Sequence, residues 1–243
     1  MATSLETNVH GGLSVVISHP SSRPKTSSLI YPSVLVVSLM PQPLSRVLPS
    51  ASVIIGNAGD RVLSRHPQLA IAAIEAIGSW SNVEAFLLRL YVSLLGGAEE
   101  LAADMYLSLE TQSAKAQALQ TVARKKLSEE NLALLNAILA IAKTSQKSRD
   151  KLAHHVWGES PDLPDALLLI DPKASAKGDY SKENIYVYRM NDLTQIIATN
   201  DRICGFGLSL GFILSDHPAN LDNRLYDELC SEPEIRERLD RQA

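Results

Sequence analysis

The chain has 243 residues, 45% hydrophobic and 21% charged, enough to enclose a core within one globular domain. A formal net charge of -4 and a pI near 5.9 exclude a protein that coats nucleic acid through a broad excess of Lys and Arg, but leave room for a local basic site. Its two cysteines, Cys204 and Cys230, show no CxxC or His-rich spacing, so neither a disulfide framework nor a zinc site is indicated and a reducing cytoplasm is expected.

Residues 1–50 are rich in Ser and Pro, nearly free of acids and without a sustained helical period, and are expected to form a flexible or extended N-terminal tail. Their apolar run, 29–40, contains Pro32, is too short to span a bilayer and lacks the basic start of a secretion signal, so a soluble protein without a membrane role is expected. Over 67–95, Ala70, Ala73, Ile74, Ile77, Trp80, Leu88, Tyr91 and Leu95 share one stripe, which predicts a helix begun by Pro67 and stopped by Gly96-Gly97. Further helices are expected over 98–109 and 113–127. A long one follows from the Ser128 cap, with Glu129 and Glu130 in its first turn, to about Val156, where Gly158 and Pro161 end it.

The helical rhythm then breaks. The runs 166–170 and 184–189 read as two strands flanking the turn-rich 172–181, hence a hairpin. Asn191 or Asp192 can cap a fifth helix through Ile196, Ile197, Ile203, Leu208 and Phe212, and 224–239 reads as one or two short exposed helices. The expected organisation is therefore a tail (1–50), a helical domain (51–215) and a C-terminal tail with a short helix (216–243). The expected fold class is mainly α: a bundle of about five helices with a small β-hairpin insertion.

Two charges interrupt the apolar stripes. At about 100° per residue, Arg149 projects within roughly 20° of Ile138 and Val156, and Glu84 within roughly 20° of Ile77 and Leu95. A Glu84–Arg149 ion pair that sets helix register accounts for both, as does Glu84 orienting Arg149 at the floor of a cleft; either makes Glu84→Ala damaging. Arg149-Asp150-Lys151-Leu152-Ala153-His154, with His155 next, places a guanidinium, a polar residue and an imidazole close together, a minimal kit for holding a phosphate and moving a proton. Lys143, Lys147 and Lys151 crowd the same helix, and Arg124-Lys125-Lys126 form a second basic cluster. Both can guide an RNA backbone, or serve as solvated outer faces and favourable charge at a helix end.

This Arg-x4-His arrangement, with Trp80-Ser81-Asn82-Val83-Glu84 before it and Trp157-Gly158 and Leu163-Pro164-Asp165-Ala166-Leu167-Leu168 after it, resembles the HEPN superfamily of helical domains over residues 51–215. The resemblance implies a HEPN-like bundle, often a homodimeric, metal-independent RNA endonuclease of toxin–antitoxin, defence or RNA-processing systems. It further implies no cofactor, an RNA substrate, and a cognate antitoxin or nucleotidyltransferase as partner. Carried over, Arg149 would bind the scissile phosphate, His154 would transfer protons and Asp150 would fill the polar position. His155 stands where a small residue often follows, and would narrow the site or add a second proton carrier.

Residues five apart on an unbroken helix point about 140° from each other, so Arg149 and His154 of one chain do not face one small target; two protomers sharing a cleft, or a frayed helix end, would resolve this. The alternative is a non-catalytic module that binds RNA, a nucleotide or a protein, or a dimerisation scaffold. No Walker loop, dinucleotide fingerprint, HExxH pair or nucleophile elbow is present, and His10, His19, His66 and His217 carry no assigned role.

Overall fold

A computed structural model describes residues 41–55, 61–215 and 217–241. In chain order the elements are β1 (Gln42–Pro43), α1 (Leu44–Val47), β2 (Ile54–Ile55), α2 (Val62–Arg65), α3 (Pro67–Leu95), α4 (Glu99–Leu107), α5 (Gln112–Lys126) and α6 (Glu129–His154). They continue with β3 (Val156–Glu159), β4 (Ala166–Ile170), α7 (Pro172–Ala176), β5 (Ile185–Arg189), α8 (Met190–Leu214), a 3-10 turn (Pro218–Asn223), α9 (Arg224–Ser231) and α10 (Pro233–Asp240). The fold is mainly helical with a small antiparallel sheet.

Local chemistry explains the long helices. Pro67 occupies the first turn of α3, and Gly96 ends it at φ 72°, a backbone region that costs any residue with a Cβ. Thr111 caps α5 by accepting from Ala114 N, and Ser128 caps α6 by accepting from Asn131 N. Asp192 acts at α8 from inside the first turn: its Oδ2 accepts from Arg189 N at 2.8 Å.

The bundle core joins Trp80, Val83, Leu87 and Tyr91 of α3 to Leu134, Leu135, Ile138 and Ile141 of α6 and to Ile203, Phe206 and Leu210 of α8. Two polar details fix its register. The buried Ser145 hydroxyl donates to Asn200 Oδ1 at 2.5 Å, and Asn200 Nδ2 donates to Ser79 Oγ at 2.8 Å, tying α6, α8 and α3 at one level. Gly207 lets α8 approach α3, because a Cβ there would run into the Phe86 ring.

Three expectations change here. The hairpin of 166–170 and 184–189 is present as β4 and β5, yet it lies within a five-stranded sheet in the order β1-β5-β4-β3-β2. The long helix stops at His154, since His155 turns extended (φ -77°, ψ 156°) and Val156 begins β3, pairing with Ile170. Alternation over four residues is too short a signal to separate a strand from a helix end, and the neighbouring strands come from distant segments. Of the expected tail, residues 41–50 supply β1 and α1, and Leu44 is fully buried against the sheet with Leu168, Ile170 and Val187; the rest of that tail, including the run 29–40, lies outside the described residues.

The sheet's other face meets the helices through Leu167, Leu169 and Tyr188, packed on Leu69, Ala72 and Ala76 of α3, Leu152 of α6 and Leu193 of α8. The C-terminal helices also join the core, with Leu229 of α9 and Ile235 of α10 buried among bundle residues. By length and composition, α3 is the one helix among the described residues suited to crossing a membrane; its residues Trp80, Val83, Leu87 and Leu90 are buried in the bundle.

Candidate functional site

At the end of α6, its last turns share a depression with the start of α7. Lys147, Lys151 and His154 recur at helical spacing, so they share one face with Asp150 beside them. That face, with His155, Asp171, Pro172 and Lys173, lines an open depression of about 430 Å³. β4 ends at Ile170, which pairs with Val156, so Asp171 follows directly beside His155 at the rim.

The groups in the depression are held differently. Asp171 caps α7, its Oδ1 accepting from Lys173 N at 2.8 Å and from Ala174 N at 3.3 Å. These backbone bonds, chiefly that from Lys173, hold its carboxyl below the usual range, with nearby His155 and Lys173 helping, so Asp171 is anionic at neutral pH. The Lys151 ammonium lies 4.8 Å from the centroid of the Tyr186 ring of β5, a cation–π contact that anchors it beside the site.

His155 is half-buried and its Nδ1 is buried without a hydrogen-bond partner. Desolvation pulls its pKa below the ordinary 6.5, Lys151 and His154 reinforce the shift, and the Asp171 charge opposes it. The ring is therefore mainly neutral at pH 7 and able to accept a proton. His154, by contrast, is exposed.

Arg149 stands apart from this group. Its Nη1 donates to Asp150 Oδ1 at 3.1 Å, its Nε is buried and unpartnered, and it does not line the depression. Asp150 also accepts from Gln146 at 3.5 Å, so it links Arg149 to the rim. Within one chain, then, Arg149 and His154 do not converge, as helical geometry requires.

The expected Glu84–Arg149 pair is not formed. Glu84 accepts instead from Gln112 Nε2 of α5, and it faces Tyr106, whose hydroxyl is pushed up to about 12 by burial and secondarily by the Glu84 charge. The reason is register: α6 runs antiparallel to α3, and Ser145 is level with Ser79. Arg149 and Glu84 lie on opposite sides of that level, separated along the axis by about 14 Å at about 1.5 Å per residue.

Of the basic residues, Lys147 and Lys151 reach the site, and Lys143 is exposed one turn earlier on α6. Arg124, Lys125 and Lys126 are exposed at the end of α5, beside the start of α6, and so lie about 37 Å of helix away from His154. The two clusters are not one surface.

Sequence reasoning missed Asp171 and Lys173 because they fall in a stretch that reads as a turn; the Asp-Pro pair before a short helix was their only signal. It also missed a second polar cluster, in which Glu159 of β3 pairs with Arg65 (2.7 Å) and with His66 Nε2 (2.9 Å). The Arg65 hydrogen bond, more than that of His66, keeps the Glu159 carboxyl below its ordinary range. This cluster clamps α2 to the sheet, across 93 residues of sequence. Among the described residues, no group of three or more His, Cys, Asp or Glu is placed to hold a metal ion. Compared with protein-family models, curated proteins and solved structures, the chain matches none.

Proposed function

We propose that the depression at the end of α6 binds RNA through its phosphates and cleaves it by phosphoryl transfer to the 2′-hydroxyl, without a metal. One observation carries this: a mainly neutral imidazole (His155) and an exposed imidazole (His154) share a rim with three ammonium groups, Lys147, Lys151 and Lys173. In the proposed reaction His155 takes the proton from the 2′-hydroxyl, the 2′-oxygen attacks phosphorus, and His154 protonates the leaving 5′-oxygen. The lysines balance charge on the phosphate. The products are a 2′,3′-cyclic phosphate and a 5′-hydroxyl.

This assigns the base to His155, with His154 as acid, and keeps Arg149 for a HEPN-like homodimer in which a partner's helix end brings a guanidinium to the cleft. A different observation favours binding without cleavage: Arg149 is occupied by Asp150 and lies outside the depression. Incubating the protein with defined single-stranded RNA in EDTA separates the two. Wild type should generate cyclic-phosphate ends, and His154→Ala should lower the rate at least a hundredfold, the low end for a general acid or base. RNA that is bound but stays intact, in a confirmed dimer, would support the binding module instead.

A further inference from the structure

The depression carries a carboxylate that the cleavage chemistry above does not use. Asp171 is immobilised: Oδ1 is engaged by two backbone N–H groups of α7. It sits in the same depression as His155, whose Nδ1 has no hydrogen-bond partner. The other groups around that ring are Lys151, Lys147 and His154 from α6 and Lys173 from α7, all able to carry positive charge, with Asp150 the remaining acid on the α6 side. A proton arriving on His155 thus enters a surround dominated by cations, and Asp171 is the acid fixed beside it, one register step beyond the Val156–Ile170 pair.

We propose that Asp171 is the positioning residue of this site: held one register step beyond the Val156–Ile170 pair, its fixed carboxylate balances the imidazolium formed when the His155 ring takes the 2′-hydroxyl proton. The inference rests on the RNA-cleavage reading for its chemistry, but the Asp171–His155 coupling is measurable without RNA. The proton passes from the 2′-hydroxyl to His155 and returns to solvent after the leaving oxygen has been protonated by His154. Asp171 exchanges no proton and touches no reacting atom. The mutual influence of the two groups is consistent with this, since Asp171 raises the affinity of His155 for a proton and His155 lowers that of Asp171.

Asn and Ser cap helices about as well as Asp, so Asp171→Asn and Asp171→Ser remove the charge while keeping α7 begun. The test follows the ring proton of His155 by NMR titration in the full chain, for wild type and both variants. Both should titrate at lower pH than wild type. In RNA cleavage, kcat should fall about tenfold to a hundredfold while KM stays within about twofold, and the acidic limb of the kcat profile should move to lower pH with the NMR value. An unchanged His155 titration in both folded variants overturns the inference, whatever the activity. A shifted titration in a protein that cleaves no RNA would uphold the coupling and sink the cleavage reading alone.

Discussion

Two basic clusters, one at the end of α5 beside the start of α6 and one at the end of α6, do different things with their charge. In the first, Arg124, Lys125 and Lys126 close α5 and point into solvent, where they complement that helix's C-terminal dipole and meet no imidazole. At the end of α6, Lys147 and Lys151 share a depression with two histidines and with the aspartate that caps another helix, α7. A cluster of cations becomes a candidate site through what stands beside it, not through its own density. The sheet provides that difference, because β3 leaves α6 at once and β4 brings Asp171 back beside the helix end.

The largest effects should come from the region between the two clusters. Ile138 is fully buried in the bundle core, and Ile138→Ala should cost about 2 to 5 kcal/mol in chemical denaturation. A cost below about 1 kcal/mol would mean that this part of α6 is not packed as described. Gly207→Ala should cost about 1 to 3 kcal/mol by driving a methyl into Phe86, a loss that Phe86→Leu in the same chain should partly relieve.

Charge at the end of α6 should then separate from charge at the end of α5. Lys147→Ala with Lys151→Ala should weaken single-stranded RNA binding about tenfold and flatten its dependence on log salt by about 1.4, the value for two lost phosphate contacts. Neutralising Arg124, Lys125 and Lys126 together should change affinity far less. Equal losses from the pair and from the triad would erase the distinction between the two clusters.

Smaller effects concern pH and a pair the sequence suggested. His155 binds protons less readily folded than unfolded, so the unfolded chain is protonated first and stability should fall as pH drops below about 6.5 toward the lower folded value. Glu159 is also held below its ordinary value, so its contribution is present above the carboxylate range and should be lost as pH falls through the folded pKa. His155→Gln should remove the first limb of a stability–pH curve and Glu159→Gln the second, the latter at about 1 to 2 kcal/mol near neutral pH. Finally, a double-mutant cycle of Glu84→Gln and Arg149→Met should give a coupling within about 0.5 kcal/mol of zero, because Glu84 is bound to Gln112 and Arg149 to Asp150.

Much of the fold was legible because its largest elements announce themselves locally. Pro67 and Gly96-Gly97 bracket α3, Ser128 opens α6, and 166–170 and 184–189 have strand composition. The sheet beyond that hairpin was not legible, since β1 and β2 are two residues long and owe their pairing to partners far along the chain. The helical wheel set Arg149 and Glu84 on apolar stripes, but Ile74 of the α3 stripe is exposed and Glu84 is half-buried beside the true buried face of α3; nor could it say at what height the two would meet, which the Ser145–Asn200–Ser79 bonds set. His154, His155, Lys147 and Lys151 could be read as one helix end; Asp171 and Lys173 could not, because only tertiary structure brings α7 beside it.

The most direct test of the account is an NMR titration of the full chain with a short single-stranded RNA bearing 2′-deoxy substitutions, which blocks cleavage. The account predicts that the side chains of His154 and His155 and the backbone amides of Lys151 and Lys173 shift saturably, while those of Arg124, Lys125 and Lys126 stay in place. Perturbations centred on the end of α5, with His154 and His155 unmoved, would contradict it.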